Sequence, residues 1–286
     1  MKPDITLQNN PGCLGMASIT EDIPFFCEGQ QQLLTLVSPN RDQNSGADPR
    51  YPLIVFLQGS AWTSPNRYYQ LPQLCRYAQQ GFAVASITHR DCTKGNPFPA
   101  YLKDAKAAVR FLRSQAGTLG IDPDRVGFFG TSSGGNTALL VGLTGDDPRY
   151  RTDDYQEQSD AVRAVADCFG PADLLSMKGG KVQEDSDIMR IMAALIDEKD
   201  TVTVLRDMSP VYEVRAGQKY PAFLIAHGDA DESVPFVQSD LMHSRLKEAG
   251  ADSRLIQVRG AEHEGTFWSE ELHGLILGHF MAHLKA

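Results

Sequence analysis

Short apolar runs alternate with amphipathic stretches along most of this chain. Leu53-Ile54-Val55-Phe56-Leu57 and Ala83-Val84-Ala85-Ser86-Ile87 are continuous apolar runs of the kind found in strands buried on both faces. Residues 101–115 follow with helical spacing, which puts Leu102, Ala105, Val109 and Leu112 on one face. Beyond them the pattern predicts strands over 126–129, 162–169, 222–226 and 254–258, and helices over 137–143, 236–249 and 271–284. Ahead of them, strands over 19–26 and 32–37 are separated by Gly29 as in a hairpin, and the polar stretch 41–50, with Gly46 and Pro49, reads as an exposed turn. Strands alternating with helices predict an α/β fold: a mostly parallel central sheet with helices on both faces.

One segment breaks the alternation. Residues 172–218 lie between two strands but are much longer than an ordinary crossover. They hold a Gly179-Gly180 turn, a helical patch over 188–196 and Met208-Ser209-Pro210. The reading is a small cap inserted into a single domain spanning 1–286. The alternative is a long crossover that never meets a ligand. There is no internal repeat and no low-complexity tract.

At 286 residues the chain can bury a large core without staples. Its net charge of −9 argues against a nucleic-acid partner and against an anionic membrane surface. Met1-Lys2-Pro3-Asp4 opens no apolar leader, and no run reaches the length of a membrane span. Cys13, Cys27, Cys75, Cys92 and Cys168 are scattered, with no Cys-x-x-Cys spacing. They read as apolar fillers in a reduced cytoplasmic setting, with one pair still able to bridge. The expected state is a monomer or homodimer that acts on a small molecule.

The candidate chemistry begins at Gly130-Thr131-Ser132-Ser133-Gly134. An apolar strand runs straight into it and a helix-compatible run follows, which is the strand–turn–helix context of a nucleophile elbow. Such a turn lifts Ser132 Oγ clear of the sheet and needs small residues two before and two after it. A serine hydroxyl is a poor nucleophile until a base takes its proton, and the base needs an orienting carboxylate. In the chain order serine, acid, histidine, the acid falls in His227-Gly228-Asp229-Ala230-Asp231-Glu232, at the carboxyl end of a strand, where ligand crevices form. Asp231 is the choice and Asp229 the runner-up. The base is His263, in the glycine-bounded loop Gly260-Ala261-Glu262-His263-Glu264-Gly265. His227 reads as structural, and His89 as a lining residue excluded from the base role by chain order. His273, His279 and His283 read as surface positions; the His279/His283 spacing has no third metal ligand, so no metal is expected.

The oxyanion donors are expected from the loop Gln58-Gly59-Ser60-Ala61-Trp62 and from the residue after the nucleophile, as the backbone N–H groups of Ser60, Ala61 and Ser133. Trp62 either walls the substrate pocket or fills the core.

These pieces together resemble the α/β-hydrolase superfamily. Within it, the chain is similar to the hormone-sensitive-lipase-like and acetyl-xylan or feruloyl esterase group of bacterial carboxylesterases, from about Asp22 to the C-terminus. Besides the elbow, the resemblance rests on Asp104-Ala105-Lys106-Ala107-Ala108-Val109-Arg110-Phe111-Leu112, on Gly120-Ile121-Asp122-Pro123-Asp124-Arg125-Val126, and on Phe169-Gly170-Pro171-Ala172-Asp173-Leu174. Ser209-Pro210 and the His227–Asp231 stretch add to it. The family's nucleophile, acid and base map onto Ser132, Asp231 and His263. Its His-Gly-Gly-Gly-Trp loop aligns with Gln58 to Trp62, where Gln58 replaces the histidine and Ser60 and Ala61 replace glycines. A β-carbon there disfavours positive φ.

The resemblance implies hydrolysis of small acyl esters through an acyl-enzyme, with no metal or organic cofactor. The esters would be of acetyl or cinnamoyl/feruloyl type, possibly on plant-derived saccharides. The competing readings are a prolyl-oligopeptidase-like peptidase or aryl formamidase using the same triad, and a catalytically silent binding protein on the same fold.

Overall fold

A computed structural model of the chain describes residues 3–10, 12–40, 50–177 and 187–285. Among the described residues eight strands form one sheet: β1 (Ala17–Cys27), β2 (Gln30–Pro39), β3 (Tyr51–Leu57), β4 (Ala83–Ile87), β5 (Ile121–Thr131), β6 (Ala164–Cys168), β7 (Ala222–Gly228) and β8 (Ser253–Val258). Their spatial order is β1-β2-β4-β3-β5-β6-β7-β8. The hairpin β1–β2 joins β4 antiparallel, and from β4 across to β8 every pairing is parallel. The mostly parallel sheet is therefore as expected. The expected turn over 41–50, apart from Arg50, and the Gly179-Gly180 turn lie outside the described residues.

Alternation along the central strands feeds two cores. Leu53, Val55 and Leu57 of β3 face one side, where they meet α2 (Ala100–Ser114), α4 (Ser133–Leu143) and α7 (Val237–Glu248). Ile54 and Phe56 face the other, against α1 (Leu71–Gln79) and α8 (Glu270–Leu284). A strand buried on both faces has no polar side to show, so it reads as an unbroken apolar run. Helix α4 is buried along its whole length. That explains why periodicity places its start four residues late: a helix covered all round carries no amphipathic stripe. The short, polar α1 and the four-residue α3 (Ala116–Leu119) escape the pattern altogether.

The segment between β6 and β7 carries α5 (Asp187–Ile196) and α6 (Thr201–Asp207). Both of its ends are tied down from the main body. Asn136 Nδ2, in α4, donates to the carbonyls of Pro171 and Met208 at 2.8 Å each. Gln238 Oε1, in α7, accepts the N–H groups of Ala172 and Asp173. Its outer part leans on the loop before α2, where Phe98 N–H donates to Leu195 O and Lys199 Nζ donates to Phe98 O.

All five cysteines are free thiols. Among the described residues, no helix is long and apolar enough to cross a membrane. His279 and His273, expected on the surface, are buried instead, because α8 packs its inward face on the sheet. Burial pushes both imidazoles down to about 4. Among the described residues no group of three or more His, Cys, Asp or Glu side chains is arranged to hold a metal ion.

The far end of α4 is anchored by a fully buried ion cluster. Asp160 accepts from Lys106 Nζ at 2.7 Å and from Arg110 Nη1 at 2.8 Å, both residues on α2. Lys106 also reaches Thr144 O just past α4, and Arg110 reaches Thr152 Oγ1 and Asp154 O. Burial alone would push the Asp160 carboxyl up, but Lys106 and Arg110 hold it below the usual range. Removing one partner of such a cluster strands the other charges. Asp160→Asn is therefore expected to cost about 3–5 kcal/mol in urea unfolding; a loss below about 1 kcal/mol would show that the cluster does not anchor α4.

Candidate active site

Parallel register brings the carboxyl ends of β3, β5, β6 and β7 to one rim of the sheet: Leu57 pairs with Gly130, Thr131 with Cys168, and Cys168 with Ala226. Ser132 stands at this rim with φ 52° and ψ −122°, a conformation that costs about 1–3 kcal/mol for a side chain with a β-carbon. Its N–H donates to Cys168 O at 2.9 Å, which ties the turn to the neighbouring strand. The glycines around it leave no space. A β-carbon on Gly130 would stand 1.9 Å from Gly134 O, and one on Gly134 would stand 2.2 Å from Leu57 O.

The structure brings Ser132, His263 and Asp231 together from three separate loops. His263 Nε2 lies 3.1 Å from Ser132 Oγ, and His263 Nδ1 lies 2.6 Å from Asp231 Oδ2. Facing a carboxylate, Nδ1 carries the proton, so Nε2 presents its lone pair to the serine hydroxyl. Asp231 Oδ1 accepts the N–H groups of Ser233 and Val234 at 2.8 and 2.9 Å. Burial pushes the Asp231 carboxyl up, but hydrogen bonds from His227, His263 and Val234 outweigh it and hold it well below the usual carboxylate range. Phe169, at φ 46°, packs its ring 4.6 Å from that of His263.

The runner-up acid, Asp229, points away and accepts Gly260 N–H and Gln257 Nε2. His89 is buried, with Nδ1 against Arg90 O.

The loop after β3 runs close against the elbow. A β-carbon on Gly59 would sit 2.5 Å from Ser132 Cβ, so this glycine is sterically required. Ala61 and Trp62 adopt φ of 49° and 59° despite their β-carbons. Three side chains hold the loop in place. Thr131 Oγ1 accepts Gly59 N–H at 2.8 Å, Ser133 Oγ accepts Ser60 N–H at 2.9 Å, and Gln58 Oε1 accepts Asn66 N–H at 2.6 Å.

One expectation is corrected here, and one open alternative is narrowed. The Ser60 N–H, expected as an oxyanion donor, is occupied by Ser133 Oγ. Trp62 is a core residue, 4 % exposed, with its ring 5.9 Å from that of Tyr101. The two left-handed residues turn the indole inward, where burying its apolar area is favourable.

Sequence reasoning missed a clamp beside the base. Glu264, at φ 68°, accepts hydrogen bonds from Tyr69 Oη and from Trp268 Nε1 on one carboxylate oxygen. It joins the His263 loop to the segment before α1, a contact 195 residues apart in the chain. No local pattern could have signalled it.

A mostly parallel sheet with an elbow serine at its carboxyl rim is the architecture of an α/β-hydrolase, and known proteins agree with that fold. Residues 42–246 match the BD-FAE family model, and the chain belongs to that family. It is 27 % identical over 239 residues to Esterase LipQ of Mycobacterium tuberculosis, covering 82 % of this chain and 54 % of that protein. Esterase LipC of the same organism is 28 % identical over 216 residues, covering 74 % and 52 %. The chain thus spans about half the length of the curated relatives it matches. Among solved structures, a truncated carbohydrate esterase from gut microbiota superposes with a TM-score of 0.78 at 28 % identity, covering 94 % of this chain and 97 % of that one. The bifunctional GH43-CE of Bacteroides eggerthii gives 0.75 at 28 % identity, covering 96 % and 38 %.

A second carboxyl lies beneath the elbow. Asp167 of β6 is buried, and its Oδ1 accepts Gly170 N–H at 2.9 Å while Oδ2 has no partner among the described residues. Burial pushes this carboxyl up to about 7. The folded protein therefore keeps a proton that the unfolded chain gives up near pH 4, and stability is lost as pH rises between these values. Asp167→Asn removes that titration. Its Tm relative to the unmodified protein is expected to rise by about 3 °C or more between about pH 5 and about pH 8. A difference in Tm that does not vary with pH would count against the buried acid.

Proposed function

We propose that the protein is a serine carboxylesterase that cleaves small acyl esters, of acetyl or cinnamoyl/feruloyl type, on plant-derived saccharides. The observation that carries this reading is the unbroken hydrogen-bond path from Ser132 Oγ through both nitrogens of His263 to Asp231 Oδ2. In this mechanism Ser132 Oγ attacks the ester carbonyl carbon while His263 Nε2 takes its proton, and Asp231 stabilises the imidazolium. The carbonyl oxygen becomes an oxyanion that accepts the N–H groups of Ala61 and Ser133. On collapse, His263 returns the proton to the leaving alcohol. Water, deprotonated by the same imidazole, then frees the acid from Ser132. No metal or organic cofactor takes part.

The saccharide half of the proposal is supported by the likeness to a carbohydrate esterase over 94 % of this chain. The segment 172–218 is proposed as a cap that shapes the pocket; its two ends are held by Asn136 and Gln238, on the helices beside the elbow and the acid. Five free thiols favour a reducing, cytoplasmic setting.

Ser132→Ala is expected to lower kcat for p-nitrophenyl acetate by about 10⁴-fold or more while the fold stays intact. Equal turnover by both proteins would remove the mechanism. Methyl ferulate, an acetylated xylo-oligosaccharide and an aminoacyl p-nitroanilide are the comparison substrates; preference for the anilide would displace the ester reading in favour of amide cleavage.

A further inference from the structure

The acid of the proposed triad is shared between two histidines. His227, the penultimate residue of β7, is fully buried. Its Nε2 lies 2.8 Å from Val234 O and 3.2 Å from Asp231 Oδ2, the oxygen that also faces His263. A carbonyl oxygen only accepts, so Nε2 carries the proton and divides it between that carbonyl and the carboxylate. On the other side of the ring, Nδ1 lies 2.6 Å from Ser239 Oγ, on α7. With Nε2 protonated, the Ser239 hydroxyl donates to Nδ1 and holds the ring in that tautomer. The edges of Phe169 and Phe236 confine it, with ring centroids 6.4 and 5.8 Å away.

Asp231 consequently accepts from four donors: two backbone N–H groups on Oδ1 and two imidazole N–H groups on Oδ2. Its acceptor sites are filled and its orientation is fixed. Every donor that stabilises the carboxylate also lowers its basicity toward the others. His227 therefore bears on how strongly Asp231 attracts the proton of His263.

We infer that His227 and Ser239 are positioning residues for the proposed reaction, which orient Asp231 and set the proton affinity of His263 without touching substrate. This rests on the Ser132–His263–Asp231 reading. Its chemistry is a donor subtracted from or restored to one carboxylate oxygen. Without the His227 N–H, Asp231 becomes the stronger base, the imidazolium of His263 is favoured, and the proton leaves Nε2 at higher pH.

Few other ionisable groups face this set. Glu264 neighbours His263 in sequence, but its carboxylate accepts from Tyr69 and Trp268. Cys168 of β6 is buried and pushed far up by burial. Asp229 is committed to Gly260 and Gln257 on the exposed side of the loop, and Glu232 is exposed.

The test is the pH profile of kcat/KM for p-nitrophenyl acetate, with Tm measured alongside, for His227→Leu, His227→Gln, Ser239→Ala and Ser132→Ala. The leucine variant is expected to lose about tenfold in kcat/KM and to move its acidic limb up by about half a pH unit or more. Glutamine, whose side-chain N–H reaches the same oxygen, is expected to bring the limb back toward its original position. Ser239→Ala is expected to shift it in the same direction by a smaller amount. A merely structural histidine would lower Tm and leave the limb in place, and that result overturns the inference. If His227→Leu does not fold, Ser239→Ala decides: an unmoved limb overturns the inference. Full activity in Ser132→Ala would instead bring down the triad reading itself, so the two failures are distinguishable.

Discussion

The left-handed backbone at Ser132 is the constraint on which the rest of the site depends. A β-carbon at that φ is strained, and nothing local relieves it. The turn persists because its surroundings leave it no alternative. Its N–H is bound to Cys168 O, Gly130 closes on the backbone of Gly134 and Gly134 on that of Leu57, and the following helix is buried from end to end. The Lys106–Arg110–Asp160 cluster then fixes the far end of that helix. A strained turn of a few residues is thus held by contacts spread over β3, β6, α2 and α4.

Positive φ recurs around this rim. Ala61, Trp62, Phe169 and Glu264 also have positive φ, and each lies on a loop that touches Ser132 or His263, or that leads directly to them. Each is held by something specific: Ser133 Oγ and Thr131 Oγ1 below the loop after β3, Asp167 Oδ1 under the turn after Phe169, and Tyr69 with Trp268 on Glu264. The departures from the family's glycine-rich loop fit the same picture. Gln58 closes the loop onto Asn66, and Ser133 takes up the N–H of Ser60, so side chains supply the order that glycines would not.

Polar groups around the site divide into saturated and unsaturated ones, and this division bears on their acidity. Asp231 has four donors and is held strongly acidic, whereas Asp167, more deeply buried, has one and is pushed up to about 7. Two aspartates near one elbow therefore differ in acidity because one is more deeply buried and has fewer hydrogen-bond donors.

Much of the architecture was legible along the chain. Each strand from β3 to β7 contains an apolar run, and the elbow carries its glycines in fixed spacing, because both depend on neighbours within a few residues. Ser132, His263 and Asp231 are proposed from chain order and strand ends, and the fold brings them within hydrogen-bonding distance. The helix α1, the true start of α4 and the burial of Trp62, His273 and His279 were not legible, since each is set by what packs against it. The occupied N–H of Ser60, the clamp on Glu264 and the second histidine on Asp231 join residues that are far apart in sequence or turned toward each other only by the fold. Local pattern determined the elements and the chemistry they carry; tertiary packing alone decided which donors were free, because a hydrogen bond made across the fold leaves no trace in sequence spacing.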